Sequence, residues 1–155
     1  MEKNLTYSEA KIKMENWCAY QERCSFEIRT KLYLFGISEE HTEKMLAELI
    51  ETRFVDDVRF AEAYTQGKFN IKRWGKIKIR QHLKQKRIDN SLILKALDII
   101  DPEKYLECID HLILKKAKDF KSNLSFYQKK AKIHQYLGSK GFEFDLIESQ
   151  MEGKI

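Results

Sequence analysis

Proline is almost missing from this chain: 155 residues hold one proline and six glycines. Sandwiches and other loop-rich folds need many more turn residues, so they are excluded. Cysteine is scarce as well. Cys18, Cys24 and Cys108 are odd in number and include no C-x-x-C pair. That leaves no disulfide framework and no zinc knuckle, only buried or half-exposed thiols. The four histidines (His41, His82, His111, His134) lack the spacing of a metal site, and no cofactor is expected. No apolar run approaches the ~20 residues of a membrane span. The N-terminal stretch MEKNLTYSEAKIK also lacks the continuous apolar core of a secretory leader. The expectation is a cytoplasmic protein with no membrane partner.

What is present leans towards helices. Lys, Glu, Leu, Ile and Ala dominate, and a composition 43% hydrophobic and 12% aromatic is enough to build a core. The net charge of +5 is unevenly placed: residues 1–52 carry −3, residues 53–100 carry +7 and residues 101–155 carry +1. Lys68–Arg87 alone holds nine Lys/Arg and no Asp or Glu. A localised positive field implies an acidic partner, nucleic acid first and an acidic protein face second.

The chain repeats itself. Glu27–Ile37, Lys78–Ile88 and Lys132–Phe142 align at offsets of 51 and 54 residues. Ile28, Ile79 and Ile133 then coincide, as do Leu32, Leu83 and Leu137, and Ile37, Ile88 and Phe142. The register carries on through Thr42, Ile93 and Ile147 and through Leu46, Leu97 and Met151. Each copy reads as helix, helix, short turn, helix. The predicted architecture is therefore all-α, an elongated array of three tandem three-helix repeats over residues 7–53, 54–100 and 101–152, each leaning on its neighbours to complete a core.

Capping residues mark the helices. Thr6 with Glu9 and Ser125 with Gln128 read as capping boxes, and Asp101 followed by Pro102 as an N-cap before the first helical position. Gly36 is a left-handed C-cap, and Gly138 and Gly141 end a later helix. Ser38, Asp56, Gly75 and Asp89 are further N-caps. Capping and the helix dipole account for the Asp56–Asp57 doublet, which is not assigned to catalysis. The helix through Leu92 and Ile93 is expected to reach Ile100. The one from Leu106 onwards is expected to reach Phe120.

At 100° per residue, Lys76, Arg80, Lys84 and Arg87 fall on one stripe of a helix, beside an apolar stripe of Gly75, Ile79 and Leu83. Ordinary solvated faces mix charge signs, and this one does not, which points to a ligand. Lys68, Lys72 and Arg73 precede the helix and extend the patch, and Lys130 holds the position of Lys76 in the third repeat. These eight residues are the candidate binding set for a partner or nucleic acid. Trp74 reads as a packing anchor. No catalytic set is recognisable, so the chain is not read as an enzyme.

With the repeats laid out, the residues resemble the RecX family of regulators of the RecA recombinase. Ala19–Gly36 is similar to the family's R-E-R-S-x-x-E-[IL]-x-x-K-L-x-x-x-G. Phe54–Tyr64 (FVDDVRFAEAY) is similar to its aromatic-[LIV]-D-D-x-[RK]-[FY]-A motif. Gly75–Leu83 is similar to the G-x-x-[RK]-[IL]-x-x-x-L that follows. Two departures stand out: Cys24 replaces a capping Ser, and Arg87 replaces the Gly before Ile88. The resemblance implies a non-catalytic regulator with a role in DNA repair, recombination and the SOS response. Such a regulator binds the RecA filament and the single-stranded DNA within or near it, and modulates recombinase activity, usually by limiting it. A monomer is expected. The alternative is a helical DNA-binding module making mainly phosphate-backbone contacts.

Overall fold

Turn chemistry divides the backbone into short helices. The computed structural model describes residues 4–155; Met1–Lys3, on which the reading of the N-terminal stretch partly rests, lie outside the described residues. Among the described residues there are nine α-helices and no strand. The first three are α1 (Tyr7–Tyr20), α2 (Ser25–Leu34) and α3 (Glu39–Glu51). Next come α4 (Asp57–Asn70), α5 (Lys76–Gln85) and α6 (Asn90–Leu97). The last three are α7 (Pro102–Ala117), α8 (Phe126–Ser139) and α9 (Phe144–Met151). None is long and apolar enough to cross a membrane.

The repeat register survives folding. Ile28, Ile79, Ile133, Leu32, Leu83 and Leu137 are all completely buried, and Ile88, Phe142, Leu46, Leu97, Met151, Thr42, Ile93 and Ile147 are buried too. The turns repeat as well. After α2, the Gly36 N–H donates to the Tyr33 carbonyl and the Ile37 N–H to the Leu32 carbonyl. After α5, Arg87 donates to Lys84 and Ile88 to Leu83; after α8, Gly141 donates to Gly138 and Phe142 to Leu137. This is one Schellman turn used three times, and the residue that closes it is the apolar Ile37, Ile88 or Phe142.

Several boundaries differ from the expectation. α6 stops at Leu97 and α7 at Ala117, so Ile100 and Phe120 lie in the following turns. Gly138 stays inside α8, and Gly141 alone takes the left-handed conformation, at φ +92°. α5 ends at Gln85, which puts Arg87 in the turn rather than on the helical stripe. The Schellman turn claims that position because Ile88 has apolar surface to bury.

The chain forms two compact units. One comprises the chain up to Ala63 together with Leu83–Leu94. In it α1 and α2 both pack on α3, and Ala10, Met14, Ile28, Leu32, Met45, Leu46, Leu49 and Val55 make the core. The aspartate doublet serves two helices here. Asp56 accepts the Arg59 N–H at 3.0 Å and caps α4, while Asp57 accepts the Ser25 N–H at 2.8 Å and caps α2. That second bond, with the Glu27 carboxylate on the Cys24 N–H at 3.1 Å, makes up for the missing serine. The other unit comprises Tyr64–His82 and Lys95–Ile155. There α7 packs on both α8 and α9, which touch each other.

Candidate partner-binding surface

In the second unit, two glycines place the start of α5. A side chain on Gly75 would put its first carbon 2.3 Å from the Gly141 carbonyl, and one on Gly141 would meet the Lys78 side chain at 2.3 Å. With neither carbon present, the two backbones hydrogen-bond directly. The Gly75 N–H donates to the Lys140 carbonyl at 2.7 Å and the Ile77 N–H to the Gly141 carbonyl at 3.0 Å. The Lys76 N–H donates to the Tyr105 hydroxyl at 3.0 Å. Helix N-termini commonly hold anions because these first N–H groups lack partners. Here the protein already supplies the partners, so any anion is recruited by side chains.

Tyr105 is the hub of this junction. It is buried, donates to the Glu143 carboxylate, and packs its ring at 5.7 Å from Phe69 and 5.3 Å from Phe142. Burial and the neighbouring Glu143 carboxylate push its hydroxyl far above the ordinary tyrosine value, so it remains a neutral donor.

Several cations of the molecule are matched to carboxylates. Ion pairs join Lys11 to Glu48, Arg29 to Glu43, Arg59 to Glu22, Lys86 to Glu27, Lys130 to Glu148 and Lys154 to Asp110, at 2.7–3.3 Å. None takes in Lys68, Lys72, Arg73, Lys76, Arg80 or Lys84. Instead the Lys76 ammonium lies 5.2 Å over the Tyr105 ring, and the Lys68 ammonium 4.9 Å over Trp74. Lys72, Arg73 and Arg80 are exposed. In the first unit Lys84 is exposed, and the Arg87 guanidinium stands 5.2 Å over Phe26. Lys130 shares Glu148 with His134, so among the described residues it is the one candidate with an ion-pair partner. Such a surface pair is worth little and leaves Lys130 available at small cost.

Trp74 is half-buried, with His82 at 4.6 Å and ammonium groups over its ring. Sequence reasoning overlooked Lys140 and left Lys78 out of the binding set. The glycine contact brings Lys78 to the Trp74 ring and Lys140 to the Lys72 carbonyl, and no spacing rule couples residues 62 positions apart. Tyr105 carried no signal either, being one aromatic among many.

The thiols are not poised for chemistry. Burial raises Cys18 to about 11 and Cys24 to about 12, and raises Cys108 as well. Among the described residues no group of three His, Cys, Asp or Glu side chains is placed to hold a metal.

Three-helix units built on buried Ile and Leu positions, with charge displayed on their surfaces, define a helical-repeat protein. The chain belongs to the RecX family. Residues 56–97 match that family's second three-helix domain, and residues 103–151 match its third. Regulatory protein RecX of Bacillus cereus strain AH820 is 28% identical over 153 residues, covering 96% of this chain. Its counterpart from Bacillus anthracis strain CDC 684 is likewise 28% identical. The chain spans 56% of the length of these curated relatives. The crystal structure of RecX from Lactobacillus salivarius superposes with a TM-score of 0.85 at 28% identity, covering 94% of both chains. A second crystal structure of regulatory protein RecX gives a TM-score of 0.80 at 29% identity, over 94% of this chain and 73% of that one. The family is one of regulatory proteins and not of enzymes.

Proposed function

We propose that this chain is a non-catalytic regulator that binds the RecA–single-stranded DNA filament in the cytoplasm and modulates recombinase activity, in the direction of inhibition. The observation that carries this reading is the sorting of charge. Lys11, Arg29, Arg59, Lys86 and Lys154 each hold a carboxylate, whereas Lys68, Lys72, Arg73, Lys76, Arg80 and Lys84 face no carboxylate in ion-pair range among the described residues. An unneutralised one-signed surface raises the local concentration of phosphates and acidic protein faces. Lys130 and Arg87 complete the candidate set. The working unit is the monomer, built as three-helix repeats over residues 7–53, 54–100 and 101–152.

Titrating the chain into RecA on single-stranded DNA tests this directly. The expected result is loss of DNA-dependent ATP hydrolysis at substoichiometric ratios, with pull-down of RecA. No effect across a wide titration overturns it. Reversal of Arg80 and Lys84 to Glu is expected to weaken binding while helicity stays intact. The log–log salt slope is expected to fall by ~0.7 for each single-strand phosphate that is no longer neutralised. An unchanged slope with reduced helicity would make the two charges structural. Tight, sequence-selective gel shifts on duplex DNA would favour the DNA-binding module instead.

A further inference from the structure

The approach of Gly75 to Gly141 assembles positive charge that no described carboxylate neutralises. It sets Lys78 of α5 against the end of α8, where the Lys78 ammonium reaches the Ser139 carbonyl at 3.5 Å. Lys140 turns the other way and reaches the Lys72 carbonyl at 3.4 Å. Both distances are long for a charged donor, and neither ammonium has a carboxylate among the described residues. Lys11, Lys86, Lys130 and Lys154 show the alternative, each holding a carboxylate at 3.3 Å or less. Burial, followed by repulsion that includes Lys78, Lys115 and Arg73, drives the Lys140 ammonium below its ordinary value. Beside Lys78 lies the Trp74 ring, with the Lys78 ammonium at 4.5 Å and that of Lys68 at 4.9 Å.

Repelling cations around a half-buried indole form a seat with its ligand's chemistry written into it. An anion relieves the repulsion, and the lysines drawn to it leave the indole face open to a flat partner. A phosphodiester strand with unpaired bases supplies both groups at once. A free phosphate supplies only the first, and duplex DNA keeps its bases stacked away. We infer that Lys78 and Lys140, with Arg73, form a single-stranded nucleic-acid seat in which Trp74 stacks on a base. This seat lies on the opposite flank of α5 from Lys76 and Arg80. It deepens the reading of the basic middle segment as partner-facing, and is independent of which protein that segment meets.

The chain has two tryptophans, Trp17 and Trp74, so Trp17→Phe isolates the reporter. At low salt, titration of that variant with a 20-residue oligothymidylate is expected to quench Trp74 emission, and pyrophosphate to leave it at least tenfold less sensitive. Replacing both Lys78 and Lys140 with Ala is expected to weaken strand binding ~10-fold or more and to lower the salt slope by ~1.4, the equivalent of two phosphates. Thermal melting of this double variant checks its fold, and removal of like charges is expected to hold or raise the midpoint. Three results overturn the inference: an equal response to pyrophosphate, an equal response to duplex, or unchanged affinity in a folded double variant. RecA pull-down without DNA is scored separately. A chain that still captures RecA but shows no Trp74 response removes this seat and leaves the regulatory reading standing.

Discussion

Arg87 stands where glycine stands in the turns after α2 and α8. Its backbone is left-handed at φ +56°, against +77° for Gly36 and +92° for Gly141. The left-handed region costs a residue with a side chain about 1–2 kcal/mol. Its position over Phe26 returns about 0.5–1 kcal/mol at most, as for any exposed cation over a ring. Arg87→Gly is therefore expected to raise stability by about 1 kcal/mol or less, seen as a higher urea midpoint with an unchanged slope. Arg53 and Arg73 occupy left-handed positions as well, at φ +65° and +55°. At the same scale, the neighbouring Asp56 and Asp57 look interchangeable in the sequence. Their division between α4 and α2 depends on which free N–H groups folding brings to each.

The start of α5 is decided between elements. Its first N–H groups are satisfied by a tyrosine from α7 and a carbonyl from the turn after α8. Gly75 reads in the sequence as a break and a cap, which it is, but the reason it must be glycine is the backbone 2.3 Å from where its side chain would begin. Gly75→Ala is expected to cost about 3 kcal/mol, the upper end of overpacking effects, because a backbone rather than a flexible side chain must move. Denaturant unfolding measures the loss. Amide exchange is expected to localise it, with faster exchange at Lys76 and Ile77 than in α1 to α3.

Across the whole molecule, acid stability depends on surface carboxylates held by partners. Polar contacts from Arg29 to Glu43, from Lys11 to Glu48, and from Lys130 and then His134 to Glu148 pull these carboxyls below the ordinary value of 4.5. A carboxyl lowered in the folded state contributes stability that is complete above the unfolded value and is lost as pH falls through the folded one. The expected profile is flat from pH 7 to about 5, then declines below 4.5. Replacing Glu43, Glu48 and Glu148 together by Gln is expected to flatten that decline in urea midpoints measured from pH 7 to pH 3.

The helices, the repeat register and the basic segment were legible in the sequence because each is written locally. Caps act within one turn, Ile and Leu recur at helical spacing, and nine cations without an acid need no structure to be counted. Apart from the half-buried Ile37, the aligned apolar residues are buried in the fold. Only the tertiary structure decided which cations are neutralised, that Arg87 leaves α5, that Asp57 caps α2, and that Lys78 meets Lys140 across a pair of glycines. Those facts depend on through-space distances of a few ångströms between residues tens of positions apart. The sequence shows how much charge the segment carries, and packing decides where that charge is left without a partner.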